Sequence, residues 1–136
     1  MSHLQYFSYP GYGDRNMENY AQAVRVNNTI EISGQGGWDP ETDVIPTDIA
    51  LELDQIFKNV QLTLTSAGGK GWSQVYKVRI YTTRYDDEMM GHIVRNLKVW
   101  CPDHKPIATG FEVSKLAFDG MRVEIEVKAD VGSDGK

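Results

Sequence analysis

The run Met121-Arg122-Val123-Glu124-Ile125-Glu126-Val127-Lys128-Ala129 limits the fold most sharply. Its apolar side chains fall at every second position, with Arg122, Glu124, Glu126 and Lys128 between them, so it reads as a half-buried strand. One face belongs to a core; the other must meet water or a partner. Upstream, Lys105–Leu116 reads as a second strand, and the short turn between the two predicts a C-terminal hairpin.

The rest of the chain supplies what such a sheet packs against. Leu4–Tyr9 reads as an edge strand and Pro10–Asp14 as a turn-rich run. Tyr20–Val26 and Thr29–Ser33 form two strands joined by Asn27-Asn28, asparagine tolerating the positive φ of a two-residue turn. After Pro46, Thr47 is the expected N-cap of a helix of about twenty residues, with Ile49, Leu53, Ile56, Val60 and Leu64 on one side and Gly68-Gly69 ending it. A strand over Val75–Thr83 precedes a second helix from about Asp86 or Asp87, its inner stripe Met90, Ile93, Leu97 and Trp100 and its stop Pro102. The order is β-β-β-α-β-α-β-β. Two amphipathic helices cover one face of one sheet. The uncovered face is expected to carry Arg122, Glu124 and Glu126 beside Glu112 and Ser114, with smaller or apolar Ala108, Gly110 and Leu116, a mixture that suits an oligomer contact.

Composition narrows the function. One domain spanning residues 1–136, with its core at about 19–131, fits the length. A net charge of -5 speaks against general nucleic-acid binding, which relies on clustered Lys and Arg. The single cysteine, Cys101, forms no internal disulfide and no multi-cysteine metal site, and His3, His92 and His104 lack ligand spacing, so no metal or other cofactor is expected. No signal segment or apolar span of 18 or more residues is present, which makes a cytoplasmic protein without membrane association the expectation. Gly68-Gly69-Lys70-Gly71 lacks the spacing and the hydroxyl residue of a phosphate loop.

Several stretches, in order, resemble the Rid family, also called the YjgF or L-PSP endoribonuclease-like family: Tyr20-Ala21-Gln22-Ala23-Val24, the Ser33-Gly34-Gln35 turn, the helix ending Ala67-Gly68, Val75-Tyr76-Lys77-Val78, and the frame Pro106, Val113, Leu116, Glu124-Ile125-Glu126. The resemblance covers about Tyr20–Val131. It implies an α+β, chorismate-mutase-like fold, a mixed sheet with two helices on one face, assembling as a trimeric barrel with small-molecule clefts between subunits. It also implies hydrolysis of enamine or imine intermediates, with Glu124 and Tyr20 positioning water and Gly34, Gln35, Ala108 and Gly110 lining the ligand site. Active deaminases hold the substrate carboxylate with an arginine where this chain has Ala108; Arg79 and Lys115 are candidate replacements. A non-catalytic ligand-binding or regulatory homotrimer is the alternative. The family's endoribonuclease and translation-inhibitor labels fit the acidic composition poorly.

For each residue a structural role competes. Glu124 pairs across strands on a polar sheet face, or holds water in a cleft where partial burial raises its proton affinity. Tyr20 presents its hydroxyl to a ligand or packs at a rim. Gly34–Gly37 bring backbone amides to an anion or simply turn the chain. Trp38 walls a pocket or caps the core.

Overall fold

The computed structural model describes residues 3–132. Six strands form one sheet in the order β1-β2-β3-β6-β4-β5: β1 Gln5–Phe7, β2 Ala23–Val26, β3 Thr29–Ile32, β4 Val75–Thr82, β5 Ile107–Glu112 and β6 Val123–Asp130. The helices are α1 Tyr12–Asn16, α2 Ile49–Ser66 and α3 Asp87–Trp100, and a 3₁₀ turn, Trp72–Gln74, leads into β4. The glycine-rich tail continues past the described residues. Among the described residues, no helix is long and apolar enough to cross a membrane.

Alternation in β6 is realised in full: Val123, Ile125, Val127 and Ala129 are buried while the residues between them are not. Against that face lie Leu53, Ile56, Phe57, Val60 and Leu64 of α2, with Met89 and Ile93 of α3. Burying each of the larger apolar side chains contributes about 1.5–3 kcal/mol relative to leaving it in water. Asn27 takes φ 54 at the β2–β3 turn, as its side chain permits.

The predicted C-terminal hairpin does not form. β6 pairs antiparallel with β3 and β4, while β5 pairs parallel with β4 on the far side. Parallel neighbours need a crossover, and α3 supplies it, so β5 and β6, consecutive in sequence, are separated by β4. β5 has no buried residue and ends at Glu112, short of the expected Leu116.

The helix starts also differ in detail. Asp48, not Thr47, caps α2, its side chain accepting from Ala50 N at 2.9 Å. The Thr47 carbonyl is held by Arg122 Nη2 at 2.8 Å. Arg122, expected on the open face, instead ties β6 to α2, its Nε donating to the fully buried Glu52 at 2.7 Å. Gly68 ends α2 at φ 89, and its amide donates to the Thr65 carbonyl. Asp86 caps α3 through Met89 N at 2.8 Å, with Asp87 and Glu88 in the first turn. Within the run read as turn-rich, Tyr12–Asn16 winds into α1; the Gly11 amide donates to Asp14 Oδ2 at 3.1 Å, and Arg15 bridges to Asp43 at 2.7 Å.

Candidate functional site

Because Ile125 faces the core, Glu124 faces the uncovered side of the sheet. The chain leaving β3 runs beside it: Gln35 and Ile125 exchange both backbone hydrogen bonds, at 2.8 and 3.0 Å. That pairing lays Gly34 against the Glu124 side chain. A Cβ at position 34 would stand 2.5 Å from Glu124 Cδ, so only glycine permits this approach.

A buried polar chain holds the turn. Trp38 Nε1 donates to Tyr9 Oη at 2.8 Å, and Tyr9 Oη donates to Gln35 Oε1 at 2.9 Å. Gln22 Oε1 accepts from Tyr9 N at 3.0 Å. Asn59 of α2 donates to the carbonyls of Gly36 and Trp38, both at 2.8 Å, fastening the loop to the helix layer. Tyr12 stacks on Trp38 with ring centroids 3.8 Å apart and planes within 8°. Phe118 meets both rings edge-on.

The result is a pocket of about 120 Å³. Five of the residues singled out from sequence line it: Tyr20, Gly34, Gln35, Trp38 and Glu124. Trp38 is buried, and it is among the residues that line the pocket. Tyr12 and Phe118 also line the pocket and were missed. The signal available was Tyr9-Pro10-Gly11-Tyr12, two aromatics one helical turn apart, but the glycine and proline favoured a turn reading. Burial, and secondarily the neighbouring Glu126 charge, raises the Glu124 pKa above the usual carboxylate range. Burial likewise raises the Tyr12 phenol. No group of three or more His, Cys, Asp or Glu that could hold a metal occurs among the described residues.

Ala108 and Gly110 are not part of this pocket. They pair with Val78 and Ile80, whose side chains are buried, so they lie on the helix side of β5 and not on the open face as expected. The open face of β5 presents Ile107, Thr109 and Phe111, with Phe111 stacked on Tyr81 at 5.4 Å. The Tyr85 ring covers Gly110, its hydroxyl 2.8 Å from where a Cβ would stand. Arg79 pairs with Thr109, so within one chain it points away from the Ala108 side.

A larger hollow, about 510 Å³, lies at the end of α3 between Leu97, Cys101, His104 and Pro106. Burial pushes the Cys101 thiol up to about 11, which keeps it protonated and unreactive at neutral pH. Size alone therefore does not make it the chemical site.

Comparison with known proteins agrees with this architecture. A family model described as endoribonuclease L-PSP matches residues 14–131. The 2-iminobutanoate/2-iminopropanoate deaminase of Rattus norvegicus is 32% identical over 114 residues, covering 83% of this chain and 80% of that protein. A RutC family protein of Pyrococcus abyssi is 31% identical over 112 residues, 81% of this chain and 84% of the relative. The crystal structure of RidA from an Antarctic Psychrobacter superposes with a TM-score of 0.81 at 28% identity, covering 93% of this chain and 99% of the other.

Proposed function

The chain belongs to the endoribonuclease L-PSP family, the Rid or YjgF group, and we propose that it hydrolyses small enamine- or imine-type intermediates in clefts between three copies of itself, releasing ammonia. The observation that carries this reading is the convergence of Glu124, Gly34 and Tyr20 on one pocket of the open sheet face. The deaminase name of the rat relative supplies the reaction class.

In this reading Glu124 takes a proton from water as the oxygen bonds to the C=N carbon and the π electrons move to nitrogen. The nitrogen gains protons, the C–N bond of the carbinolamine breaks, and a carbonyl forms: R₂C=NH + H₂O → R₂C=O + NH₃. Glu124 returns its proton to the leaving nitrogen. A raised pKa makes its ionised form the stronger base, which suits this shuttle. Tyr20, 61% exposed, offers its hydroxyl at the rim.

The cleft needs more than one chain. The open face bears exposed Tyr6, Ile107 and Phe111, and β5 is an uncovered edge strand; both suit packing of like against like. A neighbouring β5 would then bring Ala108 and Gly110 to the pocket that they do not reach in their own chain. Light scattering of the purified protein should give three times 15.3 kDa.

A second reading, a binding protein without catalysis, draws on Ala108: no guanidinium stands there for a substrate carboxylate, and Arg79 of the same chain faces away. Ammonia and keto-product release from enzymatically generated imines, with and without a carboxylate, separates the two. Catalysis abolished in Glu124→Ala supports the hydrolase. Ligand-dependent thermal stabilisation with no turnover supports the binding protein.

A further inference from the structure

The pocket around Glu124 has an unusual charge balance. Four of its lining residues are aromatic, Tyr12, Tyr20, Trp38 and Phe118, and none is Lys, Arg or His. Other carboxylates of the chain have cationic partners: Glu52 with Arg122, Asp43 with Arg15, Asp54 with Arg95 and Glu31 with Lys128. Among the described residues, the Glu124 carboxylate accepts no hydrogen bond and joins no ion pair. The nearest basic residue along the strand, Arg122, is committed to Glu52, and the sheet register sets Arg79 opposite Glu126.

Tyr12 repeats the pattern. It is 3% exposed, yet its hydroxyl makes no hydrogen bond within the described residues. No fully buried side-chain nitrogen or oxygen there lacks a partner, so the hydroxyl retains access to open space.

A lone carboxylate among aromatic walls is built to neutralise and desolvate a positive charge. The ring quadrupoles attract a cation as its water is removed, and the carboxylate serves as counter-ion. An anion entering the same space would meet like charge and no cationic side chain from the same chain. We propose that this pocket selects a small nitrogen-centred organic cation, an iminium, amidinium or ammonium head group without a carboxylate. The volume of about 120 Å³ is room for roughly four heavy atoms, enough for the head group and not for a long metabolite. This inference rests on the pocket being the ligand site and adds the sign of the charge it accepts: the imine is bound in its protonated form and derives from an amine rather than from an amino acid.

Acetamidinium, acetamide and acetate test it, since they share one planar four-heavy-atom shape and carry positive, zero and negative charge. Titration of the intact protein, followed by NMR at the Trp38 indole N–H and the Gly34 amide, gives the three affinities. Acetamidinium should bind roughly tenfold or more tightly than acetamide, and acetate should not saturate. Glu124→Gln should bring acetamidinium down to the level of acetamide. Ala117→Lys, at an exposed rim position that leaves the core untouched, should reverse the order in favour of acetate. Acetate binding as well as acetamidinium to the wild type, or acetamidinium binding unchanged in Glu124→Gln, overturns the inference. If acetate wins while carboxylate-bearing imines are hydrolysed, the charge assignment alone falls. If none of the three binds and no imine is hydrolysed, the reading of the pocket falls with it.

Discussion

Two carboxylates, the buried Glu52 and the half-buried Glu124, stand near opposite faces of the same strand end and have opposite fates. Glu52 is wholly enclosed and saturated: it accepts from Arg122 N at 2.8 Å, Arg122 Nε at 2.7 Å and Val123 N at 3.3 Å. Glu124 is partly enclosed and unbonded within the described residues, with Glu126 adding repulsion. The side chain is the same. What differs is whether the fold meets the negative charge with its own donors, which makes a fastener, or leaves it facing a cavity, as the role proposed for Glu124 requires.

Exchanging the two roles by mutation tests that contrast. Glu124→Gln is expected to lower imine hydrolysis roughly 10²–10⁴-fold with an unchanged fold, read by ammonia release beside circular dichroism. Glu52→Ala should do the reverse, costing about 3–5 kcal/mol in chemical denaturation because Arg122 is left without its counter-charge. If the stability loss belonged to Glu124 and the activity loss to Glu52, the contrast would be inverted. Gly34→Ala sits between them: a methyl carbon 2.5 Å from Glu124 Cδ must push the carboxylate aside, costing about 1–3 kcal/mol of stability and misplacing the base.

The smallest expected effect is on pH dependence. Burial first, and Glu126 second, lift the Glu124 pKa above its ordinary 4.5. The folded state therefore holds this proton more tightly than the unfolded chain does. The stability so gained is full below 4.5 and is lost as pH rises through the raised folded value. Wild type should accordingly lose stability relative to Glu124→Gln across that window, measured by denaturation at stepped pH. Hydrolysis should rise over the same window, as Glu124 ionises into a base.

What the sequence discloses follows how local the determining physics is. The β6 alternation, the apolar side of α2 and the Asn27 turn are decided within a few residues, and each is legible. The pairing of β5 is not, because every side chain of that strand is solvent-accessible and its neighbour is chosen by a crossover helix. Its face assignment failed for the same reason: Ala108 and Gly110 were placed by proximity to β6, whereas the parallel register with β4 decides. Family resemblance groups Tyr20, Gly34, Gln35 and Glu124, which meet in one pocket, with Ala108 and Gly110, which do not reach it, while Trp38 is legible from its place after the glycine-rich loop. The resemblance was silent on Tyr12, whose position depends on Trp38 stacking from a distant loop.

The sheet order also fixes when the molecule can become whole. Its central strand, β6, is the last to leave the ribosome, and before it arrives β1-β2-β3 and β4-β5 have no strand in common. The nascent chain must therefore carry two half-built sheets with apolar faces showing, and closure is a late event joining residues a hundred positions apart, such as Thr29 and Asp130. The same strand carries Glu124, so the pocket it lines forms only after the two halves have joined.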